Sequence, residues 1–111
     1  MTYEQFAKML TDAYGTDHVA YHAFPVGNVP DLPYIVYEYP NSANFGADNV
    51  VYQKGEQFNI WLQTREKDFQ AETTLENLLT ANGIYFDKFE SFLTSENMYQ
   101  ILYQGEIAIY G

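Results

Sequence analysis

The sequence contains no cysteine, so a disulfide framework, a thiolate metal site and a cysteine nucleophile are all excluded. Lysine and arginine together number only 5, against 15 aspartates and glutamates, which gives a formal net charge of −10. Phosphate backbones repel such a chain, so we expect no specific nucleic-acid binding. The acidity could instead serve solubility, a partner with a basic face, or imitation of DNA.

Long apolar runs are also missing. No stretch approaches the roughly 20 apolar residues that span a bilayer. The first ten residues, MTYEQFAKML, lack the basic and apolar regions of a secretory signal. We therefore expect no membrane partner and a soluble protein that stays in the cytoplasm until it is assembled. The length of 111 residues predicts a single domain, residues 1–111.

Aromatic residues are abundant, with 11 Tyr, 8 Phe and 1 Trp. Tyrosine combines a large apolar face with a polar end, so it suits half-buried strands and interfaces alike. Packing on a sheet is the simpler interpretation for most of them.

Two amphipathic helices are predicted from spacing and capping residues. The first begins at Thr2, with Gln5 three residues on as a capping box, and stops at Gly15. The second is capped by Asp68 and ends at Asn82 and Gly83. In the second helix the acidic residues near the start suit the helix dipole.

Several stretches are predicted to be strands, because they are apolar or alternate with a period of two. Lys54 and Gly55 suggest a tight turn between two of them, and Gly105 suggests a bulge or bend in the last. Three of the four prolines fall in residues 25–33, which predicts a loop or sheet edge. The predicted strands are residues 18–24, 34–39, 50–53, 56–64, 84–89 and 98–110.

Helices and strands do not alternate strictly along the chain. The order is helix, three or four strands, helix, two strands. This order favours an α+β fold, with a mostly antiparallel or mixed β-sheet and two α-helices packed on one face.

No residue pattern indicates catalysis or a cofactor. His18 and His22 are four apart on a predicted strand, too far apart to share a metal ion easily. No nucleophile elbow, phosphate-binding glycine loop or HExxH motif is present. We expect no catalytic, cofactor-binding or metal residues, and a protein that is not an enzyme.

The candidate binding residues are those of an interface. On the strand of residues 56–64, one face carries Trp61 among amides, and an exposed Trp is a plausible hot spot. Trp61 could equally be covered by a helix or by the loop of residues 41–49, whose Phe45 could anchor that loop on the body. The candidate interface residues are Phe45, Asp48, Asn49, Gln57, Asn59, Trp61 and Gln63.

Two stretches give the chain a resemblance to a known family. They are LPYIVYEYPNSANFGADNVVYQKGEQFNIWLQTREKDFQAETTLENLLTANGIYF and SENMYQILYQGEI. With this order of elements the chain resembles the small tail-completion, or tail-terminator, proteins that join head and tail in long-tailed phages and prophages of Gram-positive bacteria. The resemblance covers nearly the whole chain and rests on loose phrases, with no catalytic signature.

The resemblance implies an assembly role. Such proteins form a ring, typically hexameric, that caps the tail tube, ends its polymerisation and joins the tail to the head. It implies three partners: further copies of this chain, which can be monomeric until it is assembled; the major tail tube protein; and a head-completion or connector protein. It also implies a virion location, after a period in the host cytoplasm. The residues of loops 25–33 and 41–49 and the amide–Trp face would supply the contacts.

Three alternatives stay open. The chain could be another neck component, such as a head-closure or minor capsid protein. It could be an acidic DNA mimic that blocks host enzymes, although its acids are scattered. It could be an enzyme with a dispersed site.

Overall fold

The computed structural model describes residues 1–47 and 50–110. Within them two α-helices and a sheet of five strands form the body, and two short strands form a separate ribbon. A short 3₁₀ helix, Thr16–His18, follows the first α-helix. The elements are α1 (Tyr3–Tyr14), β1 (Val19–Tyr21), β2 (Tyr34–Glu38), β3 (Phe45–Ala47), β4 (Val50–Gln53), β5 (Gly55–Thr64), α2 (Phe69–Ala81), β6 (Phe86–Leu93) and β7 (Met98–Ala108).

The five strands lie in the order β1-β2-β5-β7-β6. β1 and β2 are parallel, and the other three pairings are antiparallel. The longest pairing joins β5 and β7 in continuous register from Gly55↔Ala108 to Thr64↔Tyr99. This mixed sheet with two helices confirms the predicted α+β class.

Both helices pack on the same face of the sheet, as predicted. α1 contributes Phe6 and Leu10, and α2 contributes Leu75 and Leu79, to one buried cluster. The strands meet them with side chains two apart, as the alternation predicts. These are Ile35 and Tyr37 from β2, Phe58, Ile60 and Leu62 from β5, and Ile101, Tyr103 and Ile107 from β7.

The predicted caps are confirmed. The Thr2 hydroxyl accepts the Gln5 N–H while the Gln5 side chain accepts the Thr2 N–H, which is a complete capping box. The Asp68 carboxylate accepts the Ala71 N–H at 3.0 Å. Gly83 follows α2 with a φ of 69°, a left-handed conformation that favours glycine.

The tight turn predicted at Lys54 and Gly55 is wrong. β4 pairs with β3, so these two strands form a ribbon of their own, and Gly55 is already the first residue of β5. A Cβ at Gly55 would lie 2.5 Å from the carbonyl oxygen of Ala43, so the close approach of another backbone segment, and no turn, explains this glycine.

Phe45 does not anchor its loop on the body. Its side chain is 69% exposed on β3. The preceding segment is held instead by backbone hydrogen bonds, from Ala43 N–H to the Gly55 carbonyl and from Gln57 N–H to the Asn41 carbonyl, both 2.9 Å. The anchor is therefore a backbone pairing, which side-chain hydrophobicity does not reveal.

Gly105 does not mark a bulge either. β7 keeps continuous register through it, pairing with Phe58 on β5 and Phe86 on β6. A Cβ at this position would lie 2.4 Å from the carbonyl oxygen of Tyr85 and 2.7 Å from Cζ of Phe58. Glycine is required because those two neighbours occupy the space of a side chain.

Candidate functional site

The face of the sheet opposite the helices, here called the open face, carries an unbroken row of apolar side chains. Strand register places Ala20 against Val36, Val36 against Trp61, Trp61 against Leu102, and Leu102 against Phe89. Paired residues point to the same side of a sheet, so these five side chains cross all five strands in line. We call them the apolar row.

Polar rows flank the apolar row on both sides. One contains Tyr34, Gln63, Gln100 and Ser91; the other contains Glu38, Asn59, Gln104 and Asp87. Across the second row the Gln104 side-chain amide donates to Asn59 Oδ1 at 3.0 Å. An apolar centre with an amide-rich border is the usual composition of a protein–protein interface.

The strands present only negative charge on the open face. Its carboxylates are Glu38 on β2, Asp87 on β6 and Glu106 on β7. No lysine or arginine of these strands shares that face, since Lys88 lies on the helix side opposite Tyr103. The surface is therefore acidic as well as apolar.

The structure brings four of the predicted interface residues together. Gln57, Asn59, Trp61 and Gln63 all lie on the open face of β5. Phe45 lies apart from them on the β3–β4 ribbon. Asp48 and Asn49 fall outside the described residues.

Sequence reasoning missed the residues that complete the face. Val36, Leu102 and Phe89 extend the apolar row on β2, β7 and β6. Alternation within each strand indicates only which residues of that strand point to the same side as Val36, Leu102 or Phe89. The order β2-β5-β7-β6, which makes them neighbours of Trp61, was not available from the sequence.

Trp61 is half-buried on the face opposite the helices, and the described residues of the loop 41–49 do not line the space beside it. A cavity of about 480 Å³ lies against it on the open face. The segment that follows β1 forms the opposite wall through His22, Phe24 and Val29. The Phe24 ring meets the Tyr34 ring edge-on, with centroids 5.2 Å apart. We call this space the Trp61 cavity; Tyr34, Val36, Glu38, Gln63 and Gln100 complete its lining.

The two histidines have separate partners. His22 Nδ1 lies 3.1 Å from Glu38 Oε2, and His18 Nδ1 lies 2.9 Å from the carbonyl oxygen of Pro33. Across residues 1–47 and 50–110, no three His, Asp or Glu side chains are grouped as metal ligands. His22 therefore orients a carboxylate at the rim of the Trp61 cavity.

A larger depression of about 660 Å³ lies at the end of the sheet, between residues 29–34 and 64–69. Its lining mixes prolines with charged side chains, among them Arg65 and Lys67. Lys67 is already held by two carboxylates of this chain. The lining of the Trp61 cavity contains fewer charged side chains than that of this larger space.

The helix side holds an ionic network around one buried carboxylate, which the sequence did not predict. The Glu72 side chain is only 2% exposed. Its Oε1 lies 2.9 Å from Lys67 Nζ and 2.7 Å from Lys88 Nζ. Lys67 also contacts Glu90, and Lys88 contacts Glu76 at 2.9 Å. Because Lys88 and Glu90 belong to β6, this network ties the outermost strand to α2.

The network shifts the pKa values of its members. Burial tends to raise the pKa of the Glu72 carboxyl, but hydrogen bonds from Lys67 and Lys88 outweigh it and hold the pKa below its usual value. The same hydrogen bonds raise the pKa of both lysines against the opposing effect of burial. Burial, with a 2.7 Å hydrogen bond to Glu76, raises the pKa of the Tyr103 hydroxyl. In addition to its favourable position at the start of α2, Glu72 therefore links α2 to β6 through ion pairs.

Comparison with known proteins shows a likeness of fold. No protein-family model matches this chain, and no curated protein sequence matches it. Among solved structures, the fold is similar to that of a chain from the virion of a native gene transfer agent particle. The likeness has a TM-score of 0.51 and 15% identity, and covers 89% of this chain and 84% of that chain. At this identity it shows a shared fold.

The helices also bear on membrane association. Neither helix in the described part of the chain is long and apolar enough to cross a membrane.

Proposed function

We propose that this chain is a structural subunit of a phage-like particle, and that it caps the tail tube as a ring and joins the tail to the head. The observation behind this proposal is the composition of the open face. Five strands hold an apolar row in line there; Phe89 at one end is 53% exposed, and the other four side chains are partly exposed. A surface of this kind is stabilised when a second protein removes it from water.

The fold likeness supports the kind of assembly. The similar chain belongs to a virion particle and matches over most of both chains. A ring requires two different, complementary patches on each subunit, because its contacts are head-to-tail. The β3–β4 ribbon with its exposed Phe45 would be one of these patches, and the open face would contact the tail tube protein or the head-side connector. Neighbouring copies, the tail tube protein and a head-side connector are then the partners.

The acidic charge fits this role better than imitation of DNA. Asp12, Glu72, Glu76 and Glu90 are ion-paired with lysines of the same chain, so they do not present free charge to a DNA-binding enzyme. A net charge of −10 would also keep a ring lumen from binding the DNA that passes through it.

The test of the role is deletion of the gene from the parent phage or prophage, followed by electron microscopy of the lysate. Separate filled heads and tails of uncontrolled length would support tail capping. Heads that leak DNA beside tails of normal length would contradict it and indicate a head-closure protein of the neck. Intact, infectious particles would overturn the structural role altogether.

The test of the surface uses two phenylalanines of β6 that differ mainly in the face they occupy. Phe89 is 53% exposed on the open face, and Phe92 is 46% exposed on the other face, packed edge-on to Tyr99. We expect Phe89→Ser to lower infectious titre about tenfold or more when it complements the deletion, since an interface anchor contributes about 2 kcal/mol.

Phe92→Ser is the matched control and should complement nearly normally, although it loses an aromatic pair. Thermal unfolding of both purified variants separates lost stability from lost assembly. Equal titres for the two variants would contradict the assignment of the open face. Removal of residues 41–49 tests the β3–β4 ribbon: if the shortened protein still folds, head–tail joining should be abolished, and joining that survives would contradict the assignment.

A further inference from the structure

We propose that the Trp61 cavity accepts an arginine side chain from a partner protein that is not a copy of this chain. The inference rests on the proposed assembly function and names the chemistry of one of its contacts. It follows from the lining of the cavity, from the charge of the open face and from the few cations this chain possesses.

Three aromatic rings line the cavity. The rings of Phe24 and Tyr34 pack edge-to-face. Trp61, a member of the apolar row, is paired with Val36 on the neighbouring strand and also lines the cavity. The face of an aromatic ring attracts a cation placed within about 6 Å of its centre, and tryptophan does so most strongly. A guanidinium group is planar and weakly hydrated, so it stacks on such rings at a smaller desolvation cost than an ammonium group.

The rim supplies acceptors for the guanidinium donors. Glu38 reaches the cavity with its carboxylate held by His22 Nδ1 at 3.1 Å. Gln63 and Gln100, paired across β5 and β7, bring two amide oxygens to the same rim. Arginine carries five N–H donors, so it can use a carboxylate and amide oxygens together. An apolar side chain would offer these acceptors no donor.

Charge complementarity also favours a cation. The strands of the open face carry Glu38, Asp87 and Glu106 and no lysine or arginine. Opposite charge on the partner would steer the two surfaces together and fix their register.

A second copy of this chain is poorly equipped to provide the cation. Three of its five basic residues, Lys8, Lys67 and Lys88, are ion-paired within the chain. Lys54 lies over the ring of Tyr3, 5.6 Å from its centroid. Only Arg65 is left, while every added copy brings a further charge of −10. A basic protein of a different sequence is the better match.

Trp61 is the only tryptophan, so its fluorescence reports directly on the cavity. The probes are two capped tripeptides, acetyl-Gly-Arg-Gly-amide and acetyl-Gly-norleucine-Gly-amide, titrated into the isolated protein at neutral pH and low salt. The second probe has a similar length without the charge. We expect saturable quenching by the arginine peptide, which added salt weakens, and affinity about tenfold lower for the norleucine peptide.

Glu38→Gln should weaken arginine-peptide binding about tenfold, because it removes the rim carboxylate. Glu106→Gln is the matched control, since it makes the same charge change on the same face outside the cavity, and it should bind like the unmodified protein. Equal loss in both variants, equal binding of the two peptides, or no binding of either would overturn the proposal. Self-association that Arg65→Gln abolishes would put a second copy's arginine in the cavity and would overturn it too.

This experiment and the gene deletion can fail independently. Peptide binding is measured on the isolated protein, so its absence leaves the assembly role untouched. Particles that form normally after the deletion would overturn the assembly role even if the cavity binds arginine.

Discussion

Replacing Gly105 by alanine should lower the free energy of unfolding by about 3 kcal/mol, the upper part of the usual range for overpacking. The added Cβ would lie 2.4 Å from the Tyr85 carbonyl oxygen and 2.7 Å from Phe58 Cζ. The Phe58 ring is fully buried, and the Tyr85 carbonyl belongs to the backbone that leads into β6. Neither can move away without disturbing the core or the outer strand. Urea unfolding followed by circular dichroism measures the loss.

Glu106→Ala is the control for this change, because it alters the next residue of β7, which is exposed. Its effect should stay within about 0.5 kcal/mol, as for ordinary surface substitutions. A Gly105→Ala protein as stable as the control would mean that β6 shifts freely, and would contradict the close packing at this crossing.

Replacing Glu72 by glutamine should destabilise the protein by about 2 kcal/mol at neutral pH. Breaking a buried ion pair commonly costs about 3–5 kcal/mol, and the value here is reduced because both lysines keep a second carboxylate. Lys67 retains Glu90, and Lys88 retains Glu76. The neutral amide would still fill the space but would lose the charge-assisted hydrogen bonds that join α2 to β6.

The stability that the Glu72 carboxylate contributes should depend on pH, and the direction follows from its lowered pKa. The folded state holds the pKa of Glu72 below the ordinary value of 4.5, so the unfolded chain takes up the proton first as pH falls. The carboxylate's contribution is therefore full above that ordinary value and is lost as pH drops through the lowered folded pKa. The stability gap between the unmodified protein and Glu72→Gln should be constant near neutrality and close in acid.

Glu66→Gln serves as the control, because Glu66 is an exposed acid in the connection before α2. It makes the same charge change and should leave stability within about 0.5 kcal/mol at all pH values. A Glu72→Gln gap that does not change in acid would contradict the role of the ionised carboxylate. Chemical denaturation at a series of pH values decides between these outcomes.

The sequence predicted best where the signal is local. The Thr2 capping box, the Asp68 cap and the buried stripe of β5 depend on residues at most a few positions apart, and each is confirmed. Capping and strand alternation are decided by the nearest backbone groups, so neighbouring residues contain the necessary information.

The predictions failed where the environment of a residue is set by a segment that is distant in the sequence. The glycines at positions 55 and 105 look like turn or bulge signals, yet each is required by a segment that approaches from elsewhere in the chain. Glu72 looks like an ordinary helix-start acid, and its burial depends on the place of β6 beside α2. Chemical type alone does not reveal such contacts.

The sequence by itself determined an acidic, cysteine-free α+β chain with two capped helices and a polar, Trp-bearing face on β5. Tertiary structure alone decided that this face extends across five strands as the apolar row, and that the segment after β1 lines one side of the Trp61 cavity. The physical reason is that alternation fixes the side to which a residue points, whereas strand order and register fix which residues stand beside it.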